Sequence, residues 1–594
     1  SFINSALVSS WATNMRRRGQ RSEGVRRPRL TAAEITPEVF ANEGFNEKRA
    51  EAKANEVKNG AVIMEQNLAF PENRPCRDAV WGIIFSMLTA VMIGFAMYYI
   101  FAFATEPATF AIPQQDSGGM VYNDTTPLPF LIESSTPLET SAPAGFVTTA
   151  PSSLVQAEEA QEREGITQRL LQELQNSEES EVSEKVEQDS GTMVGLLLTV
   201  SIVGGVVGLA AGFPFILLAH KYTNTVVHVA LLLGPALLIF SGVSMLLASV
   251  SGGAFGIFLL IFGVLSIALG IGMLFLILCC WGKLIPFTIR VVELVAGVAK
   301  KFPALMIAPV IGGLLGSLWV LLCFVVFAGT GLRHYESLQH ADKHQRYAGV
   351  FTVFLVLYWG AEVARCLAHM TICGVYGQWY FGLDRNKSKG EVVMSSLRVA
   401  LVTSYGSICL GTFLVAIIQA LEMVARQMME DARREGNAVG QCLACIIACA
   451  LSCIGDIMEY FNEWAYVQCA IRGLSFFDAA KVTYSLCTLA NVTYILDDLL
   501  INYVVLLGSL LCAVVGAIAG AVLGLAWDGG IGFAAGMLIG FISAYTSGSA
   551  AMSVFSSGTK TILACWAESP ETLRLKDGAE APGAVALAHD FEHG

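Results

Sequence analysis

Charged side chains are scarce in this 594-residue chain, where Lys, Arg, Asp and Glu make up 14% of the residues, against about a quarter in an average soluble protein. The deficit is uneven. Charge collects in residues 1–78, 105–190 and the C-terminal tail, leaving long stretches nearly without it. That pattern excludes an ordinary soluble domain. Also missing are a phosphate-cradling glycine loop, a dinucleotide fingerprint and a nucleophile elbow. Their absence disfavours an ATP-driven pump, and the chain reads as a non-enzyme with no catalytic residue, no cofactor and no metal. Cys442, Cys445, Cys449 and Cys453 share a helical face, but ligands strung along one straight helix cannot close on a single ion. None of the fifteen cysteines lies in the acidic segment 105–190, so no disulfide framework is expected there. The arginines of residues 16–29 have no interleaved aromatic residues, which argues against nucleic acid.

What is present is apolar sequence, 54% of the chain, in about ten runs long enough to cross roughly 30 Å of hydrocarbon. The expected fold is all-α, a polytopic membrane bundle of about ten transmembrane helices with a long acidic outer loop after the first. The chain divides into five regions: a basic cytosolic tail (1–78), a first span (79–104), the outer loop (105–190), spans two to ten (191–558) and a cytosolic tail (559–594). The eighth run, 441–458, is the shortest and the weakest candidate. Basic residues in the short loops, eleven on one side against six on the other, place both termini inside. Outside, Asn123 opens a glycosylation sequon. The lipid bilayer is the first partner, and the basic tail and outer loop are candidate surfaces for protein partners. A plasma membrane is the leading location; the Arg-rich start also resembles a transit peptide, which makes an organellar, mitochondrial membrane the alternative.

Glycines at 204, 208 and 212, at 516, 520 and 524, and at 532, 536 and 540 recur every fourth residue, the spacing that lets helices approach closely in lipid. Residues 283–302 and 459–498 read as amphipathic segments on the inner surface.

Several motifs resemble one family. Pro75-Cys76-Arg77-Asp78, Trp359-Gly360, Ala368-His369-Met370-Thr371, Gly374 to Phe381, Ser404 to Gly411 and Phe461 to Val467, with Asp497-Asp498 after them, are similar to the choline transporter-like family, above all its fungal and protist branch. The resemblance implies ten spans, a large outer loop, inner termini and transport of choline or related amines. Arg472 departs from it, standing where the family usually has an aromatic residue.

Ionisable groups inside spans cost about 2.5–3.5 kcal/mol each, so they mark function. Tyr358, Glu362, Arg365 and His369 are spaced for one helical face, with Trp359 beside them. A quaternary ammonium donates no ordinary hydrogen bond and is held by aromatic faces near a carboxylate. Tyr358, Trp359, Glu362, His369 and Tyr405 are therefore the candidate substrate-binding residues. The alternative is that Glu362 and Arg365 merely pair with each other. Arg365, Asn462, Tyr466, Asp497 and Asp498 are candidates for gating or structural roles, the two aspartates as caps on the ninth span. A facilitative or exchange carrier for choline or an ethanolamine-like cation is the leading function; a non-transporting scaffold or accessory subunit is the alternative, and an ion channel the third.

Overall fold

The computed structural model describes residues 35, 47–66, 69–71, 74–105, 195–250, 253–280, 285–334, 341–489, 493–569 and 572–573. Residues 112–199 form a separate unit, of which only residues 195–199 are described. Asn123 and the acidic loop lie outside the described residues.

Ten helices among the described residues are long and apolar enough to span a bilayer. An amphipathic helix α1 (Glu47–Gln66) precedes them. The spans are α2 (Ala79–Thr105), α3 (Gly195–Lys221), α4 (Thr223–Ser249), α5 (Gly256–Cys279), α7 (Pro303–Arg333), α8 (Lys343–Tyr380), α10 (Tyr405–Arg434), α11 (Ala438–Arg472), α13 (Leu500–Ala526) and α14 (Gly532–Glu568). Three shorter helices, α6 (Ile285–Lys301), α9 (Lys389–Arg398) and α12 (Phe476–Leu489), all cap one end of the bundle. Residues 69–71 and 74–78 lie across that end as a strap, and it is therefore the strap end.

The surface is inverted relative to a soluble protein. Phe101, Phe240, Leu314 and Phe324 are exposed on the outside of the bundle, as lipid rather than water requires, and every span meets its backbone needs within its own helix. At the centre stands α8, 38 residues long and so roughly 57 Å at 1.5 Å per residue. From Cys366 to Tyr380 every residue is buried, the mark of a helix surrounded on all sides.

Helical backbone covers Thr493–Glu568 and folds back on itself. A Cβ on Gly516, Gly520 or Gly524 would meet the carbonyl oxygens of Gly540, Gly536 and Gly532 at 2.7, 2.1 and 1.9 Å respectively. These glycines thus put α13 and α14 backbone to backbone, antiparallel. Gly204, Gly208 and Gly212 of α3 face Ser543, Ser547 and Ala551 of α14 in parallel register. The repeated spacing is a contact surface, as expected.

Three expectations need adjustment. The eighth span is not short: α11 runs 35 residues, and 459–472 belongs to it rather than to a surface segment. Only Phe476–Leu489 stands apart as an amphipathic helix. The last helix continues to Glu568, past the boundary read near 558, because Ile562, Leu563, Cys565 and Trp566 are buried. Finally, helix precedes the ninth span from Thr493, so Asp497 and Asp498 sit a turn inside it instead of at its start. Their side chains lie outside the described residues.

Candidate functional site: a charged cluster beside an aromatic box

Helix spacing already aligns Glu362, Arg365 and His369 along α8; α11 and α14 complete the arrangement. Arg365 reaches three carboxylates. Its Nε and Nη2 donate to Glu362 Oε2 at 2.9 and 2.7 Å, its Nη1 to Glu463 Oε1 at 2.6 Å, and Nη2 lies 2.8 Å from Glu459 Oε1. Glu459 and Glu463 are one turn apart on α11, so both turn the same way. Lys560 of α14, almost wholly buried, lies 3.2 Å from Glu463 Oε2, donates to Ser556 Oγ at 2.7 Å and stands 5.5 Å over the Tyr460 ring.

His369 sits beneath this network. Its Nδ1 is 2.7 Å from Ser557 Oγ and its Nε2 2.9 Å from the Glu463 carbonyl oxygen. With both nitrogens engaged, the imidazole bolts α8 to α11 and α14.

Three carboxylates therefore face two cations. Among the described residues of this cluster, acidic side chains thus outnumber basic ones. It is also not sealed: the Arg365 and Glu459 side chains keep 39% and 34% of their surface, against 17% for Glu463 and 2% for Lys560. The more exposed edge of the cluster is therefore at Arg365 and Glu459. Pairing of Glu362 with Arg365 is real, but it is a fraction of a larger and unbalanced network.

Trp359 turns to another side of α8. Its ring packs 5.1 Å from Phe85 of α2 and 4.7 Å from Phe413 of α10, and its indole N–H donates to the Cys409 carbonyl at 3.0 Å. Phe85 also meets Trp319 of α7 at 5.4 Å and Tyr405 at 6.5 Å, and Phe413 meets Trp81 at 5.0 Å. Trp319 lies flat on α8 where Gly360 leaves room, since a Cβ there would fall 1.9 Å from the indole. These six rings pack into one aromatic cluster, a turn along α8 from Glu362. Tyr358 is outside it, stacked on Phe354 at 5.7 Å.

Asn462 and Tyr466 tie α11 to α10. The Asn462 amide donates to the Gly411 carbonyl at 2.9 Å and the Tyr466 hydroxyl to the Ile408 carbonyl at 3.3 Å. A Cβ on Gly411 would strike that hydroxyl at 2.4 Å. Both residues have a joining geometry.

Arg472, the departure from the family pattern, is buried. It donates to Gln468 Oε1 at 3.0 Å and the Met64 carbonyl at 3.1 Å, and it pairs with Glu568. An aromatic ring could not make these bonds, so here α1, α11 and α14 are joined by charge.

Sequence reasoning missed Glu459, Glu463 and Lys560. The signal was available for the first two, a pair of acids at i and i+4 in an otherwise apolar stretch. Lys560 fell beyond the boundary drawn for the last span.

Fold and cluster together define a polytopic α-helical membrane protein with fixed charges held in the middle of its bundle. The chain belongs to the plasma-membrane choline transporter family, whose profile matches residues 264–571, a range that contains the whole charged cluster. A CTL-like protein of Dictyostelium discoideum is 27% identical over 297 residues, covering 49% of this chain and 50% of that protein. Protein PNS1 of Gibberella zeae is 28% identical over 267 residues, covering 43% and 47%. Protein PNS1 of Candida albicans is 26% identical over 381 residues, covering 61% and 73%. The alignment thus spans about half the length of the first two relatives.

Proposed function

We propose that this chain carries choline, or a related small organic cation of the ethanolamine kind, across its membrane by facilitated diffusion or exchange. The observation that supports it most is the acid-rich cluster: among the described residues, three carboxylates meet two cations, with an exposed edge at Glu459. A charge imbalance inside a membrane is costly unless something completes it, and an entering cation does so. The adjoining aromatic box offers π faces for a methylated ammonium. Glu362 and Glu459 supply the negative field, Trp359 and Tyr405 belong to the aromatic wall, and Tyr358 and His369 frame the two ends of the site. Arg365 prevents the three acids from repelling one another, and Asn462 and Tyr466 hold the helices that bear them. On the count of basic loop residues, the strap end faces the cytosol, and the family's description favours the plasma membrane.

Labelled choline uptake into proteoliposomes tests the reading. The native chain should accumulate label, Glu459→Gln should lower the rate about tenfold or more, as expected for loss of a charge-assisted contact, and Trp359→Ala should raise KM. No uptake by the native chain would leave the scaffold reading standing. Uptake indifferent to both substitutions would place the site elsewhere.

A further inference from the structure

A cavity of about 300 Å³ lies at the strap end, between Phe70, Pro71 and Arg74 of the strap, the last turns of α8 and helix α9. Its volume is at the lower end of the range for small-molecule sites. The polar lining consists of Arg74, Gln378, Lys387, Ser395 and Ser396. Two of these are cationic and none is acidic. Such a wall repels the organic cation proposed above and attracts the opposite charge.

The lining is built, not accidental. Arg74 is fixed from both sides, donating from Nη1 to the Ala470 carbonyl at 2.7 Å and from Nη2 to the Ile471 carbonyl at 2.9 Å, with its guanidinium 5.1 Å over the Phe70 ring. Gly473, with φ +66, supplies the turn beneath it. A guanidinium has five N–H donors, so Arg74 keeps others for a ligand. Gln378 is buried and donates to Ser395 Oγ and Ser396 Oγ at 3.1 and 2.9 Å, while Lys387 donates to Gln378 Oε1 at 3.0 Å. Among the described residues no carboxylate pairs with Arg74 or Lys387. Burial lowers the Arg74 pKa to about 10, the response of a cation removed from water without an anionic partner.

We propose that this cavity is a binding site for a phosphate-class anion, either inorganic phosphate or the phosphomonoester group of a lipid, held between Arg74 and Lys387. A dianion balances both charges where a carboxylate would balance one. Its tetrahedral oxygens accept from guanidinium and ammonium together, while the Ser395 and Ser396 hydroxyls, which donate to the Val392 carbonyl, hold Gln378 in the wall. Because Arg74 belongs to the strap and Lys387 to the α8–α9 connection, the anion also ties the strap to the bundle.

The full chain in phosphatidylcholine nanodiscs is the preparation for the test, with radiolabelled inorganic phosphate in equilibrium dialysis. Saturable binding is expected, weakened about tenfold by Arg74→Gln and by Lys387→Gln, the loss for one charge-assisted contact. Lys387 is exposed, so the second variant reads the site even if the first fails to fold. A second arm places phosphatidic acid in the nanodisc: displacement of label identifies a lipid headgroup as occupant, and no displacement a free anion. No saturable binding of phosphate, or binding indifferent to both variants, would overturn the proposal. The readout is equilibrium binding, so it stands apart from choline uptake and its failure leaves the carrier reading untouched.

Discussion

The two ends of the bundle are closed in different ways. At the strap end the chain uses backbone contacts and buried groups. Phe70 N–H donates to the Ile471 carbonyl and Arg77 N–H to the Thr403 carbonyl, while Asp78 Oδ2 accepts from Ser407 Oγ at 2.7 Å and from the Phe476 N–H at 2.8 Å. At the opposite end charged side chains stand largely in the open, and α8 reaches the end of α10 through Lys343 and Arg346. Lys343 pairs with Glu435 just past α10, whereas Arg434 with Glu430 and Arg426 with Glu422 pair within α10 itself, each with a largely exposed cation. Asp431 is the buried acid there, receiving Tyr347 Oη at 3.1 Å. Exposed ion pairs contribute little, typically well under 1 kcal/mol, and salt screens them. Hydrogen bonds to a half-buried carboxylate such as Asp78 contribute more, and removing a partner costs more still. The structure is therefore a form sealed at the strap end and loosely latched at the other. For a carrier that alternates its access, the latched end is the one that opens first.

The largest expected effect comes from Gly406→Val. A Cβ at this position falls 2.1 Å from the Asp78 carbonyl oxygen, a backbone atom that cannot swing aside, so the strap must lift. A loss of about 3 kcal/mol is expected, in the range of severe overpacking, read as a lower unfolding midpoint in detergent. Trypsin cleavage after Arg77 should quicken in the same variant. An unchanged midpoint and unchanged cleavage would show that the strap contributes nothing to closure.

Asp78→Ala should come next, at about 2 kcal/mol for two lost acceptor contacts. Asp78 also holds φ +52, a conformation Asp tolerates better than Ala. Asp78→Asn keeps the shape and one acceptor, so it should recover part of the loss. Equal losses in Ala and Asn would assign the whole effect to charge.

How much of this was legible beforehand depends on which forces act locally. The spans announce themselves because each is a continuous apolar run, and the glycine faces because their spacing is a property of one helix. The row Tyr358, Glu362, Arg365, His369 was visible for the same reason. Its partners were not: Glu459 and Glu463 meet Arg365 across 94 to 98 positions of sequence, and Lys560 meets Glu463 from a third helix. Periodicity says which residues share a face and is silent on what that face meets. Trp359 shows the same limit. Grouped with Glu362 by sequence proximity, it is rotated toward Phe85 and Phe413 by its position on α8. Asp78 was noticed as part of a motif, but nothing in its neighbours reveals Ser407 and Phe476 as its donors.

The smallest effect sharpens the contrast most. Arg434 lies 3.4 Å from Glu430 with 71% of its side chain exposed, an i,i+4 pair of the kind that stabilises an isolated helix by about 0.3–0.5 kcal/mol. Arg434→Gln should therefore leave the unfolding midpoint nearly where it was, and the small residual difference should vanish as salt rises from about 50 to about 500 mM, since the Debye length then falls from roughly 14 to roughly 4 Å. Salt should act on the native chain in the same direction. It weakens the exposed Lys343–Glu435 contact between α8 and the end of α10 more than the half-buried hydrogen bonds to Asp78. Trypsin separates the two ends: raised salt should speed cleavage at Arg433 and Arg434 and leave cleavage after Arg77 constant. If both sites respond alike, the ends are held by the same forces and the asymmetry fails.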